Sequence, residues 1–252
     1  MFSHIMHAQN ISNVDANQEG KAIAITYDLA EKSNISLYIS TNNGLNKKAI
    51  SNEFLSGDIG KNVRPGNHRK ILWKVLEQFP NQNFEGENLS FIVKGRIAMK
   101  TFVQLNGSYS VDSRYMLGLT VGQFGQIGWY VKGCMTPSMP YQTEYTCDET
   151  GYVGDTMPAY SGVYSSFKCY GIAGLSVRLG IPLYLYAGLG YGTRQLYWET
   201  SNNKWVSNAS GSYKGLAIDA GISTTIKKVV LSAGITSTNA NIDVNLGVGY
   251  AF

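Results

Sequence analysis

Histidine, the usual proton-transfer group of hydrolases, occurs at three positions in the 252-residue chain, His4, His7 and His68. A Ser-His-Asp or Cys-His centre needs this base beside its nucleophile. Because no histidine follows His68, the rest of the chain cannot build such a centre. Acid–base chemistry there would fall to carboxylates, of which Asp219 and Asp243 are the pair that the strand pattern below places on one face.

The three cysteines are Cys134, Cys147 and Cys169, and none has the Cys-x-x-Cys or Cys/His spacing of a zinc site. The acidic stretch 144–155 lacks EF-hand spacing, so we expect neither a metal nor a cofactor. Cys134 and Cys147 bracket 12 residues and would form a disulfide in an extracellular loop. Cys147 with Cys169 is the competing pair, and an unpaired Cys169 facing lipid is the other alternative.

The composition is that of a folded protein, with 44% hydrophobic residues, 15% charged residues, 28 Gly and 17 Tyr. The net charge is only +4 and basic residues do not cluster beside aromatic ones, so we expect no nucleic-acid partner. No run of 18 apolar residues exists, which excludes a helical membrane span. A membrane β-barrel remains compatible because its strands are short and alternating.

The composition changes near residue 98. Residues 1–98 contain 7 Gly and 2 Tyr, whereas residues 99–252 contain 21 Gly and 15 Tyr. We therefore predict two domains, 10–97 and 98–252, after an N-terminal tail at 1–9. The tail lacks the basic and apolar regions of a complete signal peptide; it is either the remnant of one or a disordered terminus.

The first domain shows the alternation of short β-strands at Ala22–Leu29 and Ile35–Ser40, with further apolar strands at 71–76 and 89–94. Six or seven such strands predict an immunoglobulin-like or fibronectin-III-like β-sandwich with Trp73 in its core. The domain resembles a module of cell-envelope proteins of the Bacteroidetes. The resembling segments are 11–14, 25–29, 37–44, 56–60 and 71–73. This resemblance implies an exported protein with a structural or binding sandwich.

The second domain contains eight alternating segments, an even number as in bacterial single-chain barrels. They lie at about 103–109, 115–122, 127–132, 166–178, 183–191, 215–223, 229–236 and 242–252. The polar face is mostly Gly, Ser, Thr and Asn, which suits the narrow interior of an eight-stranded barrel better than a water-exposed surface. We therefore predict an antiparallel transmembrane β-barrel with its apolar face outward. A soluble, lipocalin-like barrel with an apolar interior is the alternative.

The segment spacing predicts short periplasmic turns near 124–125, 180–182 and 227–228 and two long surface loops, at about 134–162 and 192–212. The predicted loops carry aromatic residues that suit either partner recognition or the membrane-interface girdle. These loop aromatics are Tyr141, Tyr145, Tyr152, Tyr160, Tyr197, Trp198 and Trp205.

The last segment resembles the OmpA/OmpX-like eight-stranded outer-membrane barrels, most clearly at Leu246, Val248, Tyr250 and Phe252. The resemblance covers about 99–252. It implies an outer-membrane location in a Gram-negative bacterium, with the first domain in the periplasm. It also implies contact with membrane lipid, the barrel-assembly machinery and periplasmic chaperones, beside an unidentified protein partner at the surface or in the periplasm.

The polar face also carries five charges that we expect to form an internal network filling the lumen. They are Lys132, Lys168, Arg178, Asp219 and Asp243. The sequence thus predicts a non-enzymatic anchor, adhesin or accessory subunit. A small-ligand-binding or transport barrel is the first alternative, and a lipid-modifying enzyme is the second.

Overall fold

The computed structural model describes residues 10–40, 47–79, 90–110, 114–138, 141–180 and 182–252. The tail predicted at 1–9 lies outside the described residues. Contacts divide the chain into two units, Met1–Ala98 and Met99–Phe252. No helix in the described ranges is both long enough and apolar enough to cross a membrane.

Unit 1 contains two antiparallel four-stranded sheets. Strands β1 to β8 are Ile11–Glu19, Ala22–Leu29, Ser33–Ser40, Lys47–Ala49, Leu55–Gly57, Gly60–Val63, Gly66–Trp73 and Ser90–Ile97, with a 3-10 turn at Asn52–Phe54 and a short helix α1 at Val75–Gln78. The first sheet has the order β1-β2-β7-β5, and in the second β3 pairs with β4, β6 and β8.

The two sheets of unit 1 contribute to one buried cluster. Ile25 and Trp73 come from the first sheet and Leu37 comes from the second. Side chains alternate between the two faces of a strand, and these three lie on the faces that form the shared core. The Trp73 ring is fully buried, and its Nε1 donates to Gln78 Oε1 at 2.7 Å. Burial raises the pKa of Tyr27 to about 12, and its hydroxyl donates to the Asp58 carbonyl at 2.5 Å.

Unit 2 is a closed antiparallel barrel of eight strands, as predicted, and the described chain is all-β apart from the short turns of unit 1. Strands β9 to β17 are Lys100–Ser110, Arg114–Phe124, Ile127–Met135, Thr146–Cys147, Tyr160–Arg178, Leu183–Thr200, Trp205–Ile226, Val229–Thr238 and Asn241–Ala251. Consecutive barrel strands pair, and β17 pairs with β9 to close the sheet. The two-residue β12 lies outside the barrel and pairs in parallel with β15.

The barrel turns its apolar face outward. On β9, β10 and β17, Leu105, Leu117 and Leu246 are each about two-thirds exposed, at 66%, 65% and 65%. The intervening polar side chains, such as Asn106 and Thr120, are buried in the lumen. Alternation along the sequence defined the two faces, and strand closure places the polar one inside.

The prediction of a long loop at about 192–212 is wrong. The connection from β11 to β13 is long, but residues 192–212 are mostly strand, and β14 and β15 are joined by a turn at 201–204. The aromatic residues read as loop tips lie in paired strands here, since Tyr197 and Trp198 pair with Ser207 and Val206. Aromatic and β-branched side chains favour strands, so the hairpin continues past the barrel.

The continued strands form an extension, defined here as residues 160–168 of β13, 192–200 of β14 and 205–216 of β15. These residues lie beyond the last pairs that β13 makes with β11 and β15 makes with β16. The turn at the tip contains Asn203 in a left-handed conformation (φ 57°), which asparagine tolerates better than most residues. The extension and the loop that folds onto it lie at one end of the barrel, opposite the short turns.

Candidate functional site

The centre of the lumen holds a buried ion pair. Lys132 Nζ lies 2.9 Å from Asp219 Oδ1, and Asp219 also accepts hydrogen bonds from the Tyr130 hydroxyl (2.8 Å) and the Thr236 hydroxyl (2.6 Å). Lys132 and Asp219 are at most 4% exposed. Three partners on two carboxylate oxygens compensate the loss of hydration, which a buried charge requires.

A second ion pair lies at the base of the extension, where Lys168 is the last extension residue of β13. Lys168 Nζ is 2.7 Å from Asp243 Oδ1 and 3.3 Å from Ser110 Oγ, and neither charged side chain is exposed. Lys168 also lies over the Tyr213 ring, 5.7 Å from its centroid. The charges therefore join β13, β17 and β9 across the barrel.

Asn245 extends the hydrogen bonding around the first ion pair. With its amide nitrogen toward Tyr170 and Ser108, that nitrogen is 3.0 Å from the Tyr170 hydroxyl and 2.8 Å from Ser108 Oγ. Its amide oxygen then lies 3.3 Å from Lys132 Nζ. Four of the five predicted lumen charges thus form two ion pairs inside the barrel, and Asn245 belongs to the polar layer of the Lys132–Asp219 pair.

Arg178 is the predicted network residue that lies elsewhere. It occupies the turn end of β13, six residues beyond Ile172, which is in register with Lys132. Its Nη2 donates to the Gly180 carbonyl at 3.3 Å. Alternation placed Arg178 on the inward face, where it is buried, but alternation does not fix the level at which a side chain lies along the barrel.

Aromatic side chains fill the lumen at the turn end. The Phe124 ring stacks between Phe102 (4.1 Å between centroids) and Tyr184 (4.3 Å). The cavity left between these rings and the Lys132–Asp219 pair has a volume of about 30 Å³, room for about two water molecules. The alternation pattern did not predict this layer, although Phe102 and Phe124 are large apolar residues at inward positions of β9 and β10.

The predicted Cys134–Cys147 disulfide is not formed, and all three cysteines carry free thiols. Cys134 is in register with Tyr170, Gly192 and Gly215, whereas Cys147 pairs with Asn208. Because β15 is irregular between Asn208 and Tyr213, the separation is counted on β14, where the two levels are Gly192 and Leu196. Four residues span about 13 Å along a strand, while disulfides need Cα atoms within about 7 Å. The competing Cys147–Cys169 pair is absent for the same reason, since Cys169 is one residue from Tyr170.

We predict three alkylated cysteines when the protein is purified without reductant, unfolded and treated with a thiol reagent. In native micelles Cys134 and Cys147 should react far more slowly than after unfolding, because both are buried. Mass spectrometry of the labelled protein measures both results. A single reactive thiol after unfolding would mean that two cysteines are joined by a disulfide. That result would contradict the separation of the cysteines given by the strand register.

The predicted loop aromatics form two packed groups and two exposed residues. Tyr141 stacks on Trp205 at 4.1 Å and meets Tyr197 edge-on, while Trp198 meets Tyr160 edge-on at 5.2 Å. Tyr145 (58%) and Tyr152 (40%) are exposed outside these groups, and Tyr141 (39%) is exposed within the first group.

The loop between β11 and β13 folds back onto the extension. Asp148 accepts hydrogen bonds from the backbone N–H groups of Tyr152 and Thr150 and from the Thr150 hydroxyl, all at 2.8–2.9 Å. These hydrogen bonds hold the pKa of Asp148 below its usual range. Asp148 is therefore a turn-stabilising residue. Within the described ranges, no group of three His, Cys, Asp or Glu side chains is placed to hold a metal ion.

A cleft of about 530 Å³ separates this loop from the tip of the β14–β15 hairpin. Its walls include Tyr145 and Trp205, two of the predicted loop aromatics. The residues that complete its walls, Gln142, Asn202 and Asn203 among them, were not candidates in the sequence. Only the return of the loop onto the hairpin brings them together.

No family model and no curated protein matches this chain. Similar solved structures include Ail, the attachment invasion locus protein of Yersinia pestis (15% identity, TM-score 0.40, 61% of this chain and 97% of that chain). The N-terminal β-barrel domain of Pseudomonas aeruginosa OprF (12%, TM-score 0.38, 61% and 97%) and Neisserial surface protein A (13%, TM-score 0.34, 61% and 96%) are also similar. Similarity this low carries no argument about function, and the barrel assignment rests on the strand pairing above.

Proposed function

We propose that the chain is a non-enzymatic outer-membrane protein of a Gram-negative bacterium, in which a sealed barrel anchors a surface structure made for recognition. The observation that carries the proposal is the inverted barrel, with exposed leucine, valine and isoleucine outside and ion pairs inside. Soluble monomers rarely expose apolar patches larger than a few hundred Å². A barrel that exposes apolar side chains on every strand needs lipid around it.

The dimensions of the apolar surface support this proposal. Strands β9, β10 and β17 have 11 residues each, and about 9–11 residues cross a bilayer when tilted. Exposed aromatics lie at both ends of this surface, Tyr109 and Tyr115 toward the extension and Trp129 and Tyr250 toward the turns. Val244, the partner of Tyr109, lies six residues from Tyr250 on β17, about 20 Å along the strand, close to the height of a membrane barrel's apolar band.

The orientation follows the usual rule that short turns face the periplasm and long connections face the medium. The extension and its loop would then lie outside the cell. We propose that unit 1 lies in the periplasm as an immunoglobulin-like or fibronectin-III-like β-sandwich, of the kind found in Bacteroidetes envelope proteins. The two sheets that share one buried core support this assignment.

The test is to express the full chain behind a signal peptide and fractionate the cells. We expect the protein in the outer-membrane pellet, migrating differently in heated and unheated gel lanes. Protease added to intact cells should cut in the loop and extension and leave unit 1 intact. A protein that is soluble without detergent and unchanged by heating would contradict the proposal.

We further propose that the C-terminal strand is the signal that the barrel-assembly machinery reads. Leu246, Val248, Tyr250 and Phe252 all lie on the outward face, and the Tyr250 and Phe252 rings meet edge-on at 5.2 Å. Replacing Phe252 by Ser should lower the folded outer-membrane level several-fold. Heat-modifiable protein in membrane fractions measures this level.

The matched control is Leu231→Ser, which also removes an outward apolar side chain but lies outside the C-terminal strand. Refolding of both purified variants into detergent separates recognition by the machinery from barrel stability. Normal membrane levels of the Phe252→Ser variant would remove the proposed role of the C-terminus.

A further inference from the structure

The cleft beside the extension has the size and lining of a ligand site. Its volume of about 530 Å³ lies within the range of small-molecule pockets, about 300–1,000 Å³. One wall is the loop around Gln142 and Tyr145, and the other is the hairpin tip from Asn202 to Trp205.

Both walls are held in place by hydrogen bonds. The Ser201 backbone N–H and its hydroxyl both donate to the Ala159 carbonyl, at 2.7 and 3.0 Å. At the hairpin tip the Thr200 N–H donates to the Lys204 carbonyl at 2.8 Å. Strand β12 pairs with β15 directly after Tyr145. A ligand would therefore meet walls that are already positioned, which lowers the entropy lost on binding.

The aromatic part of the cleft includes the indole ring of Trp205, against which a second aromatic ring packs. Tyr141 stacks on Trp205 with an interplanar angle of 13°, while Trp205 also borders the cleft. Tyr145, 58% exposed, stands on the facing wall. Flat apolar surfaces with a polar edge suit ligands that have one apolar face and a polar rim.

The polar part of the cleft consists of side-chain amides and hydroxyls. Gln142, Asn202 and Asn203 are exposed on its walls, and each amide offers both donors and an acceptor. We propose that this cleft binds a neutral oligosaccharide, whose C–H faces would pack on Trp205 and Tyr145 and whose hydroxyls would pair with the amides. The inference rests on the proposed function, because it places the cleft on the cell surface.

The charges around the cleft select against acidic sugars. Lys204 is 3.5 Å from Glu144 across the cleft, so its charge is already paired. Residues 141–166 and 197–212 together contain five acidic residues and one lysine. A sulfate or carboxylate entering this field would meet net repulsion, since like charges disfavour approach.

The test uses the full chain in detergent micelles, after the heat-dependent gel shift has shown that it is folded. Saturation-transfer NMR would be recorded with maltotriose, lactose, mannotriose and chitotriose as neutral probes, and with a heparin tetrasaccharide as the acidic probe. We expect binding of at least one neutral probe in the millimolar range or tighter, and weaker or no binding of the acidic probe. Tyr145→Ala and Asn202→Ala should each weaken it about fivefold or more.

The control variant is Tyr164→Ala, which removes an aromatic side chain of similar exposure (61%) from β13 outside the cleft. It should bind the probe like the unmodified protein. Tighter binding of the heparin probe, no binding of any neutral probe, or an equal loss in the Tyr164→Ala variant would each overturn the inference. If one of these results is obtained with a folded, surface-accessible protein, only the ligand proposal fails and the proposed anchoring function stands. If the protein fails the gel-shift and fractionation tests, the proposed function itself fails.

Discussion

Replacing Asp219 by Ala is expected to destabilise the barrel by about 3–5 kcal/mol, the cost of leaving one partner of a buried ion pair without the other. Lys132 would lose its counter-ion in a lumen from which water is nearly excluded. The Tyr130 and Thr236 hydroxyls would lose their acceptor at the same time. Urea titration of the folded barrel in lipid vesicles, followed by tryptophan fluorescence and gel mobility, measures the change in unfolding free energy.

Two further variants separate the ion pair from general effects of mutation. The double variant Lys132→Met, Asp219→Leu removes both charges and should recover most of the lost stability, because apolar substitutes for a complete buried pair are often neutral or stabilising. Glu144→Ala breaks an ion pair whose side chains are about two-thirds exposed, and should change stability by less than about 1 kcal/mol. An Asp219→Ala effect no larger than that of Glu144→Ala would show that the lumen network contributes little.

Alternation along the barrel strands predicted part of the architecture of unit 2. It assigned residues to two faces and gave the number of strands, but the same period fits a barrel with either face inside. The small size of the polar-face residues decided the direction. The structure gives the reason, since a Cβ on Gly221 or Gly234 would clash with the Tyr186 hydroxyl, which lies over these neighbouring strands.

Pairing within the lumen could not be predicted, because it depends on height and stagger. Lys132 and Asp219 are on strands that are not neighbours in the sheet, and their meeting follows from barrel closure. The same limit explains why the sequence could not give the level of Arg178 in the lumen and why the predicted Cys134–Cys147 disulfide is absent. In each case the sequence identified the face or the loop, while the register of β13 and β15 decided which residues meet.

The extension was missed for a different reason. Tyr197, Trp198 and Trp205 were interpreted as loop residues because the regular apolar and polar alternation of the barrel stops near residue 192. Outside a bilayer a strand no longer needs an apolar outward face, so a hairpin can continue with a mixed pattern. The cleft depends on this hairpin and on the loop that returns to it, and no short sequence motif encodes that arrangement.

The second prediction with a large expected effect concerns conduction. The purified protein in planar bilayers should show no large, steady ion conductance, because its lumen is sealed by three successive layers. The Phe102–Phe124–Tyr184 stack fills the turn end, the Lys132–Asp219 layer fills the centre, and the Lys168–Asp243 pair lies toward the extension. The cavity between the first two layers holds about 30 Å³, far less than a hydrated ion path requires.

The layered arrangement also predicts how the barrel responds to damage. Phe124→Ala removes the central ring of the aromatic stack but leaves both ion pairs in place, so its conductance should stay at the background level. A larger porin reconstituted in the same bilayers provides the positive control, because barrels of 16–18 strands keep an aqueous channel. Steady conductance in the unmodified protein would show that the ion pairs open in the membrane. Conductance that appears only with Phe124→Ala would place the seal in the aromatic layer and reduce the ion pairs to a stabilising role.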